Sequence, residues 1–450
     1  MSGGERKDWI VGPGRPLTGR IRVPGDKSVS HRAVMLASLA EGVSRISGFL
    51  EGEDTRATAA VFERLGVRIE APSPQSRIVH GVGLHGLRAS DDALDCGNAG
   101  TGMRLLAGVL AGQAFDSVLI GDASLSKRPM RRVIDPLSQM GARIDSETGG
   151  LPPLRIRGGQ ALRGIDYALP VASAQVKSAL LLAGLYAEGE TVVREPHPTR
   201  DYTERMLAAF GWPVEFSPGF ACVRGGAGTA QALRATDVRV PADFSSAAFF
   251  LVAASVVPGS DLTLDAVGMN PRRTGLLQAL RAMGADIVES EAREEGGETV
   301  ADLRVRYAPL RGIEVPEAIV PDMIDEFPAL FVAAACAEGD TRISGAAELR
   351  VKESDRLAAM SAGLRALGIR VDEVADGATI HGGAFVLPDG DASLSIDSRG
   401  DHRIAMSLAI AAQRCGGEFA IGDVANVATS FPDFDGLARG AGFALRDAAA

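Results

Sequence analysis

Cysteine and histidine are scarce in this sequence, which has four Cys and six His among 450 residues. The Cys residues, at positions 96, 222, 336 and 415, lie far apart and form no Cys-x-x-Cys pair. This spacing argues against a disulfide framework and a structural zinc site, and it is typical of a reducing compartment. Aromatic residues make up 5% of the chain, too few for the stacking platforms of single-stranded nucleic-acid binders.

Long hydrophobic runs are also missing. The longest apolar stretch, from Ala247 to Val257, is far shorter than the ~20 residues of a membrane span. The first eight residues contain neither the apolar core of a secretion signal nor an amphipathic leader, so we expect a cytoplasmic protein without a membrane partner. Acidic residues outnumber basic ones by 57 to 47, and the net charge of −10 disfavours nucleic acid as a partner. A local cluster of Arg and Lys could still bind a small anion.

Glycine, by contrast, is abundant, and an internal repeat organises the chain. Six segments share a short β-like run, a polar loop, a helix rich in Ala and Leu, and then a Gly and a second β-like run. They begin near Arg20, Leu94, Tyr167, Asp237, Glu317 and Leu394. A second helix in each unit ends in a Gly that is expected at the helix C′ position with positive φ, as at Gly66, Gly141, Gly284 and Gly368. The pattern predicts an α/β fold of six βαβαββ units.

The six units are expected to form two similar domains of three units each. The first helix of each unit is apolar nearly all round, which predicts that these helices are buried with the sheets outside. One domain would span residues 24–241, and the other would be discontinuous, with residues 1–23 and 242–450. Pro24 and Pro241 fix φ at the two short, extended crossings.

Polar and charged residues stand at the starts of the buried helices. In chain order these loops carry Lys27, Asn98, Ser173, Asp243, Asp325 and Asp401. Free N–H groups and the helix dipole make each helix start a possible anion site. The alternative is helix capping alone, for which Ser, Asp and Asn are well suited. Capping does not explain Lys27, Arg32 or Arg403, because a basic side chain in the first turn opposes the dipole. The recurrence of these basic residues favours a cleft between the domains that binds anions.

Two further segments add basic residues, Lys127-Arg128-Pro129-Met130 and Arg350-Val351-Lys352-Glu353-Ser354-Asp355-Arg356. Such runs are often solvated faces. The second segment mixes both signs of charge, as a site would if it held an anion while moving a proton.

Five motifs, in order between about Gly12 and Gly442, resemble those of the EPSP synthase (3-phosphoshikimate 1-carboxyvinyltransferase) family. They are Asp26-Lys-Ser-Val-Ser-His-Arg-Ala33, Gly97-Asn-Ala-Gly-Thr101, Lys127-Arg-Pro129, Arg350-Val-Lys-Glu-Ser-Asp-Arg356 and Asp401-His-Arg403. Within this family, the segment from Gly121 to Met130 is similar to the branch that includes glyphosate-tolerant bacterial enzymes.

The resemblance implies a fold and a reaction. The fold is the inside-out barrel of the enolpyruvyl transferases, with two domains and the active site in the cleft between them. The reaction transfers the enolpyruvyl group of phosphoenolpyruvate (PEP) to the 5-hydroxyl of shikimate 3-phosphate and releases phosphate. It belongs to the shikimate pathway to chorismate and aromatic amino acids, and the enzyme is the target of glyphosate. The resemblance also implies a monomer that needs no metal and no cofactor.

The resemblance assigns roles to individual residues. Shikimate 3-phosphate would be held by Lys27, Ser28, Arg32, Ser173, Ala174, Gln175, Arg200, Asp325 and Lys352. PEP would be held by Lys27, Gly100, Arg128, Gln175, Arg356 and Arg403. The catalytic residues would be Asp325, which takes the 5-hydroxyl proton, and Glu353 with Lys27, which handle protonation at the PEP methylene. Because the intermediate is a crowded anion, Arg and Lys suit its walls.

Two positions depart from the family pattern. Thr429 stands where many members carry a Lys that faces PEP, and Ala174 replaces the second Ser of the commoner Ser-Ser-Gln. Arg104 and Lys177 follow site motifs on helices, where either packing or a place at the site rim would suit them. Tolerant relatives carry Ala at the position of Gly100, and the missing methyl group here is expected to leave space for glyphosate.

Two other functions are alternatives to the EPSP synthase reaction. UDP-N-acetylglucosamine enolpyruvyl transferase has the same fold and uses PEP, but that family usually carries a reactive Cys at the position of Ala123. A repeat scaffold without catalysis would not need Lys27, Arg128 and Asp325 together.

Overall fold

A computed structural model describes residues 7–226, 231–295, 297–387 and 394–448. The first six residues, which belong to the segment considered as a leader, lie outside these ranges. Within them the helices are α1 (Lys27–Leu39), α2 (Glu53–Arg64), α3 (Gly100–Ala111), α4 (Arg131–Gln139), α5 (Ala174–Gly184), α6 (Tyr202–Ala209), α7 (Phe244–Val256), α8 (Gly275–Ala282), α9 (Phe327–Ala335), α10 (Arg356–Ala366), α11 (His402–Ala412) and α12 (Phe434–Ala441). None of the helices in the described ranges has the length and hydrophobicity that a membrane crossing requires.

The strands are short and alternate with these helices. They are β1 (Trp9–Gly12), β2 (Thr18–Ile21), β3 (Ala40–Ser47), β4 (Arg68–Ser73), β5 (Ser76–Val82), β6 (Leu94–Asp95), β7 (Ser117–Ile120), β8 (Arg143–Glu147), β9 (Leu151–Arg157), β10 (Asp166–Ala168), β11 (Glu190–Arg194), β12 (Val214–Ser217), β13 (Phe220–Arg224), β14 (Leu233–Arg234), β15 (Val238–Arg239), β16 (Asp261–Gly268), β17 (Asp286–Glu295), β18 (Glu298–Arg306), β19 (Asp340–Ile343), β20 (Val371–Val374), β21 (Gly377–His381), β22 (Ser395–Asp397), β23 (Phe419–Gly422) and β24 (Ala444–Asp447).

One sheet topology recurs along the chain. In the sheets β6-β7-β9-β8 and β10-β11-β13-β12, the first two strands are parallel with a helix between them. The last two strands form an antiparallel hairpin whose second strand pairs with the second strand of the unit. The predicted α/β repeat is therefore confirmed.

Three of the sheets are completed by strands that are distant in sequence. β1 takes the third place in the sheet β22-β23-β1-β24, with Trp9 opposite Ile421. β2, which the sequence pattern assigns to the first repeat, pairs with β16 of the fourth. In return, β14 and β15 pair with β3 of the first repeat. The two Arg-Val-Pro segments, at 22–24 and 239–241, therefore each come at the end of a strand that belongs to the sheet of the other repeat. The predicted starts of the first and fourth repeats, near Arg20 and Asp237, are wrong for this reason.

The chain divides into two compact units. One comprises Gly25–Pro241 together with Glu294–Glu298, and the other comprises Met1–Pro24, Ala242–Arg293 and Thr299–Ala450. Each unit has its own apolar core, built around α1, α3 and α5 in the first and around α7, α9 and α11 in the second. Every residue of α7, α9 and α11 is buried, which confirms the prediction from their apolar sequences.

The glycines that end the second helices have the expected backbone conformation. Their φ angles are +91° at Gly66, +101° at Gly141, +95° at Gly284 and +83° at Gly368. In each case the next strand begins within two residues or, after Gly368, within three. The prediction of a C′ glycine at the turn from helix to strand is confirmed.

Candidate functional site

Lys27 begins α1 and forms an ion pair with an acidic residue of the neighbouring helix. Its Nζ lies 3.1 Å from Oδ2 of Asp54, and its side chain is 20% exposed. Asp26 caps α1 by accepting a hydrogen bond from the Val29 N–H at 2.8 Å. Nearby, burial lowers the pKa of His31 to about 3, and its Nδ1 lies 2.8 Å from Thr58 Oγ1. A neutral ring therefore anchors α1 to α2.

Arg32 is buried among hydroxyl groups. Its Nε donates to Thr203 Oγ1 at 2.7 Å and its Nη2 to Ser178 Oγ at 2.8 Å, which joins α1 to α6 and α5. Burial lowers the pKa of Arg32 to about 10, and the charge of Arg200 acts in the same direction. Arg200 and Arg32 therefore form one basic region, in which the hydrogen bonds of Arg32 also make it a structural link between three helices.

Asn98 and Arg128 come from two loops of the second repeat and contact each other. Arg128 Nη2 donates to Asn98 Oδ1 at 2.8 Å, and Asn98 Nδ2 donates to Asp122 Oδ2 at 2.7 Å. Asp122 is held in turn by the Leu125 N–H at 2.7 Å. The guanidinium of Arg128 is thus positioned beside the start of α3, where the helix dipole adds positive potential.

Two guanidinium groups border the space beside Gly100. A Cβ at this position would lie 3.1 Å from Arg104 Nη1 and 3.2 Å from Arg128 Nη1. Both distances are shorter than ordinary van der Waals contacts, so a methyl group would displace two guanidinium groups.

Gln175 is held in one orientation by its neighbours. Its Oε1 accepts from Arg104 Nη1 at 3.0 Å, and its Nε2 donates to Thr101 Oγ1 at 2.9 Å. Arg104 also donates to the Gly100 carbonyl at 3.1 Å. These bonds join the start of α5 to the start of α3. Arg104 therefore has a positioning role that its place in the sequence did not reveal.

Lys177 is buried between two carboxylates, which resolves the choice between packing and a rim position in favour of packing. Its Nζ lies 2.8 Å from both Glu195 Oε2 and Glu204 Oε1, and all three side chains are at most 3% exposed. Although burial acts in the opposite direction, the two carboxylates raise the pKa of Lys177. Glu195 also accepts from the Thr199 N–H at 3.2 Å and thereby fixes the loop before Arg200.

We expect Lys177→Met to lower the free energy of unfolding by about 3–5 kcal/mol, because it leaves two buried carboxylates without their shared cation. Urea unfolding at neutral pH measures this change. Arg157→Met removes an ion pair with Asp116 whose side chains are more than half exposed, and it serves as the control. Equal stability losses in the two variants would contradict the interpretation of Lys177.

In the second unit, Asp325 lies between two guanidinium groups. Its Oδ1 is 3.5 Å from Arg356 Nη1 and its Oδ2 is 3.4 Å from Arg273 Nη1. Its backbone carbonyl accepts from Arg403 Nη1 at 3.0 Å. The side chain is 17% exposed, so the carboxylate can reach a bound ligand.

Arg356 starts α10 and contacts three carboxylates. Besides Asp325, it donates to Asp401 Oδ2 through Nε at 2.8 Å and to Glu353 Oε2 through Nη2 at 2.5 Å. Although burial acts in the opposite direction, these three charges raise the pKa of Arg356. Despite its own burial, Asp401 has a lowered pKa because Arg356 and His402 lie beside it. The structure therefore brings Asp325, Glu353, Arg356 and Arg403 together at the starts of three helices.

Lys352 lies in a loop of the same unit, and Thr429 ends a short 3-10 helix there. Lys352 Nζ pairs with Glu348 Oε1 at 2.9 Å. Thr429 is buried, and its hydroxyl donates to the Asn426 carbonyl at 2.7 Å. It therefore offers no cation in place of the Lys that the family pattern leads one to expect there.

These contacts distinguish the residues that cap helices from those that do not. Asp26, Ser173, Asp243, Asp355 and Asp401 accept N-capping hydrogen bonds from backbone N–H groups. Asp325 instead directs its carboxylate to two arginines, and Asn98 directs its amide to Asp122 and Arg128. The capping interpretation holds for the first group and does not account for the second.

Arg273, which is buried, was not among the residues predicted from the sequence. A signal for Arg273 was present in the repeat. Arg128, Arg200 and Lys352 each lie in the loop between the second strand and the second helix of their units. Arg273 occupies that loop in the fourth repeat, so aligning the repeats would have identified it. Among the described residues, no group of three or more His, Cys, Asp and Glu is arranged to hold a metal ion.

The sequence profile of the EPSP synthase (3-phosphoshikimate 1-carboxyvinyltransferase) family matches residues 11–437. The chain belongs to the EPSP synthase family. Among relatives in this family, the 3-phosphoshikimate 1-carboxyvinyltransferase of Xanthomonas campestris pv. campestris (strain B100) is 72% identical over 437 residues. The match covers 97% of this chain and 98% of that relative.

Solved structures agree with this family assignment. EPSP synthase from Acinetobacter baumannii is 51% identical, with a TM-score of 0.87, and the match covers 98% of this chain and all of that one. The enolpyruvyl transferase NikO from Streptomyces tendae has a TM-score of 0.79 at 19% identity, with 99% of each chain covered, and shows the shared fold. The predicted EPSP synthase family, the inside-out barrel fold and the transferase class are confirmed.

Proposed function

We propose that this chain transfers the enolpyruvyl group of PEP to the 5-hydroxyl of shikimate 3-phosphate, giving 5-O-(1-carboxyvinyl)-3-phosphoshikimate and phosphate. The reaction is a step of the shikimate pathway to chorismate and aromatic amino acids. The observation that carries the proposal is the 72% identity, over nearly the full chain, to a protein that bears the name of this activity. Asp325 lies between two arginines, and Glu353 lies beside one of them. This arrangement supports the proposal because the reaction needs groups that transfer protons next to positive charge.

Asp325 acts as the general base in this proposal. Its carboxylate accepts the proton of the 5-hydroxyl as the oxygen attacks C2 of PEP, and C3 gains a proton from Glu353 or Lys27. Because a tetrahedral intermediate then carries the carboxylate and phosphate of PEP, the positive groups Arg128, Arg356 and Arg403 stabilise it. Loss of phosphate and of a proton from the methyl group regenerates the enol ether.

The ligands of each substrate are shared between the two units. In the proposal, Lys27, Ser28, Arg32, Ser173, Ala174, Gln175 and Arg200 contact shikimate 3-phosphate from one unit, and Asp325 and Lys352 contact it from the other. Lys27, Gly100, Arg128 and Gln175 contact PEP from the first unit, and Arg356 and Arg403 contact it from the second. We further propose that the enzyme works as a cytoplasmic monomer without a cofactor.

A UDP-sugar acceptor is disfavoured by the cysteines. Ala123 occupies the position where the UDP-N-acetylglucosamine enzymes usually carry a reactive Cys. Cys96, the Cys closest in sequence to the Asn98 loop, is 1% exposed, and burial raises the pKa of its thiol. A thiol that resists ionisation is a poor nucleophile.

The test is phosphate release from PEP by the purified full chain. We expect release with shikimate 3-phosphate present and none with PEP alone or with UDP-N-acetylglucosamine. Mass spectrometry of the product should show the enolpyruvyl adduct of shikimate 3-phosphate. Release that depends on the UDP-sugar instead would overturn the proposal.

We expect glyphosate to inhibit the wild-type enzyme in competition with PEP, and Gly100→Ala to weaken glyphosate more than PEP. The added methyl group displaces the guanidinium groups of Arg104 and Arg128 and reduces the space beside them. Because glyphosate is longer than PEP, this loss of space weakens glyphosate binding more than PEP binding. Inhibition constants and the KM for PEP, measured on both proteins, provide the comparison. Gly416→Ala is a suitable control, because its Cβ would meet no atom within 4 Å. Equal losses of glyphosate and PEP affinity in Gly100→Ala would contradict this explanation.

A further inference from the structure

Arg273 is a buried cation without a role in the mechanism proposed above. It lies in the loop between β16 and α8 and is 4% exposed. Its Nη2 donates to Asp243 Oδ1 at 3.0 Å and to Ser245 Oγ at 2.6 Å, both at the start of α7. Its Nη1 lies 3.4 Å from Asp325 Oδ2 and 3.8 Å from Glu326 Oε1. One guanidinium therefore joins the start of α7 to the segment that precedes α9.

The anchoring of this guanidinium is stronger on one side than on the other. The contacts with Asp243 and Ser245 have ordinary hydrogen-bond lengths, whereas the contact with Asp325 is longer. Ser245 also donates a hydrogen bond to Glu326, which closes a small network around Arg273. Arg273 is thus held by α7 and presents one edge to Asp325.

The opposite oxygen of Asp325 faces a second anchored guanidinium. Arg356, 3.5 Å from Oδ1, is fixed by Asp401 at 2.8 Å. Two rigid cations on different oxygens restrict rotation of the carboxylate about its Cβ–Cγ bond.

We propose that Arg273 is a positioning residue, which holds the carboxylate of Asp325 in the orientation that accepts the proton of the substrate hydroxyl. The proposal rests on the role of Asp325 as the general base. Geometry of this kind matters because a misplacement of about 1 Å can lower turnover by ~10². The residue acts through Asp325 and contacts no reacting atom.

The proposal is tested with a double-mutant cycle on the full chain. The proteins are wild type, Arg273→Gln, Asp325→Asn and the double variant, with kcat and both KM values measured for each. We expect Arg273→Gln to lower kcat by about 10² while KM changes by less than about threefold. On the Asp325→Asn background, the same substitution should change kcat by less than about twofold, because its target is already absent.

Two further variants keep the test interpretable. Arg273→Lys retains the charge but cannot span Asp243 and Asp325 as the planar guanidinium does, and we expect kcat to fall by about tenfold with an unchanged melting temperature. It replaces Arg273→Gln in the cycle if the latter does not fold. Arg272→Gln is the matched control, because the neighbouring arginine pairs with Asp322 at 3.2 Å and is one-third exposed. It should leave kcat unchanged.

Equal losses of kcat from the Arg273 substitution in wild type and in Asp325→Asn would overturn the proposal, since Arg273 would then act independently of Asp325. A wild-type kcat in both Arg273 variants would also overturn it. Failure of the proposed function itself is distinguishable, because in that case wild type releases no phosphate in the presence of both substrates.

Discussion

Asp325→Asn is expected to lower kcat by ~10²–10⁴, the range that a general base contributes. The substitution keeps the shape of the side chain between Arg273 and Arg356 but removes the group that accepts a proton. Binding of shikimate 3-phosphate should weaken by no more than about tenfold, which corresponds to one hydrogen bond. Steady-state phosphate release and equilibrium binding of shikimate 3-phosphate measure the two quantities separately.

The control for Asp325 is another aspartate of the same unit. Asp372 lies on β20, is half exposed and pairs with Arg370 at 2.9 Å. Asp372→Asn should therefore leave kcat unchanged. Near-wild-type turnover in Asp325→Asn would remove this residue from the mechanism, whereas a parallel loss in both variants would indicate an effect of acidic surface charge.

Lys27→Met should lower kcat/KM by at least ~10² for both substrates, because this ammonium is assigned to PEP, to shikimate 3-phosphate and to proton transfer. The side chain is partly exposed, and its ammonium pairs with Asp54. Without the cation, Asp54 adds negative charge where two anionic substrates are proposed to bind. Initial rates over a range of each substrate give the two kcat/KM values.

Lys7→Met is the matched control for Lys27, because Lys7 pairs with Asp447 at 3.0 Å and is nearly half exposed. Its kcat/KM values should equal those of wild type. A Lys27 variant that loses efficiency toward only one substrate would restrict this residue to that substrate.

The repeat architecture could be predicted from the sequence because its signals are local. Apolar helices, C′ glycines and β-like runs recur at similar spacing, and each needs only its neighbours to form. The exchange of β2 with β14 and β15 could not be predicted, because strand pairing is decided by contacts distant in sequence. Arg239 and Val240 repeat the sequence of Arg22 and Val23, so neither segment shows which sheet edge its strand completes.

The candidate site was predictable in part for a similar reason. Charged residues such as Lys27, Arg128 and Glu353 stand out in motifs. Buried partners such as Glu195 and Arg273 do not, because their importance comes from what they contact across the fold. The packing around Gly100 could not be predicted for the same reason. The two guanidinium groups beside Gly100 come from α3 and from the loop before α4.

The N-terminal strands impose an order on biosynthesis. β1 is made before its partners β23 and β24, which follow more than 400 residues later. At ~5–20 residues per second, this strand waits without a partner for roughly 20–80 s. The segment Gly25–Pro241 is nearly all of the other unit and can fold during that interval. The sheet β22-β23-β1-β24 therefore closes only after β23 and β24 have been made.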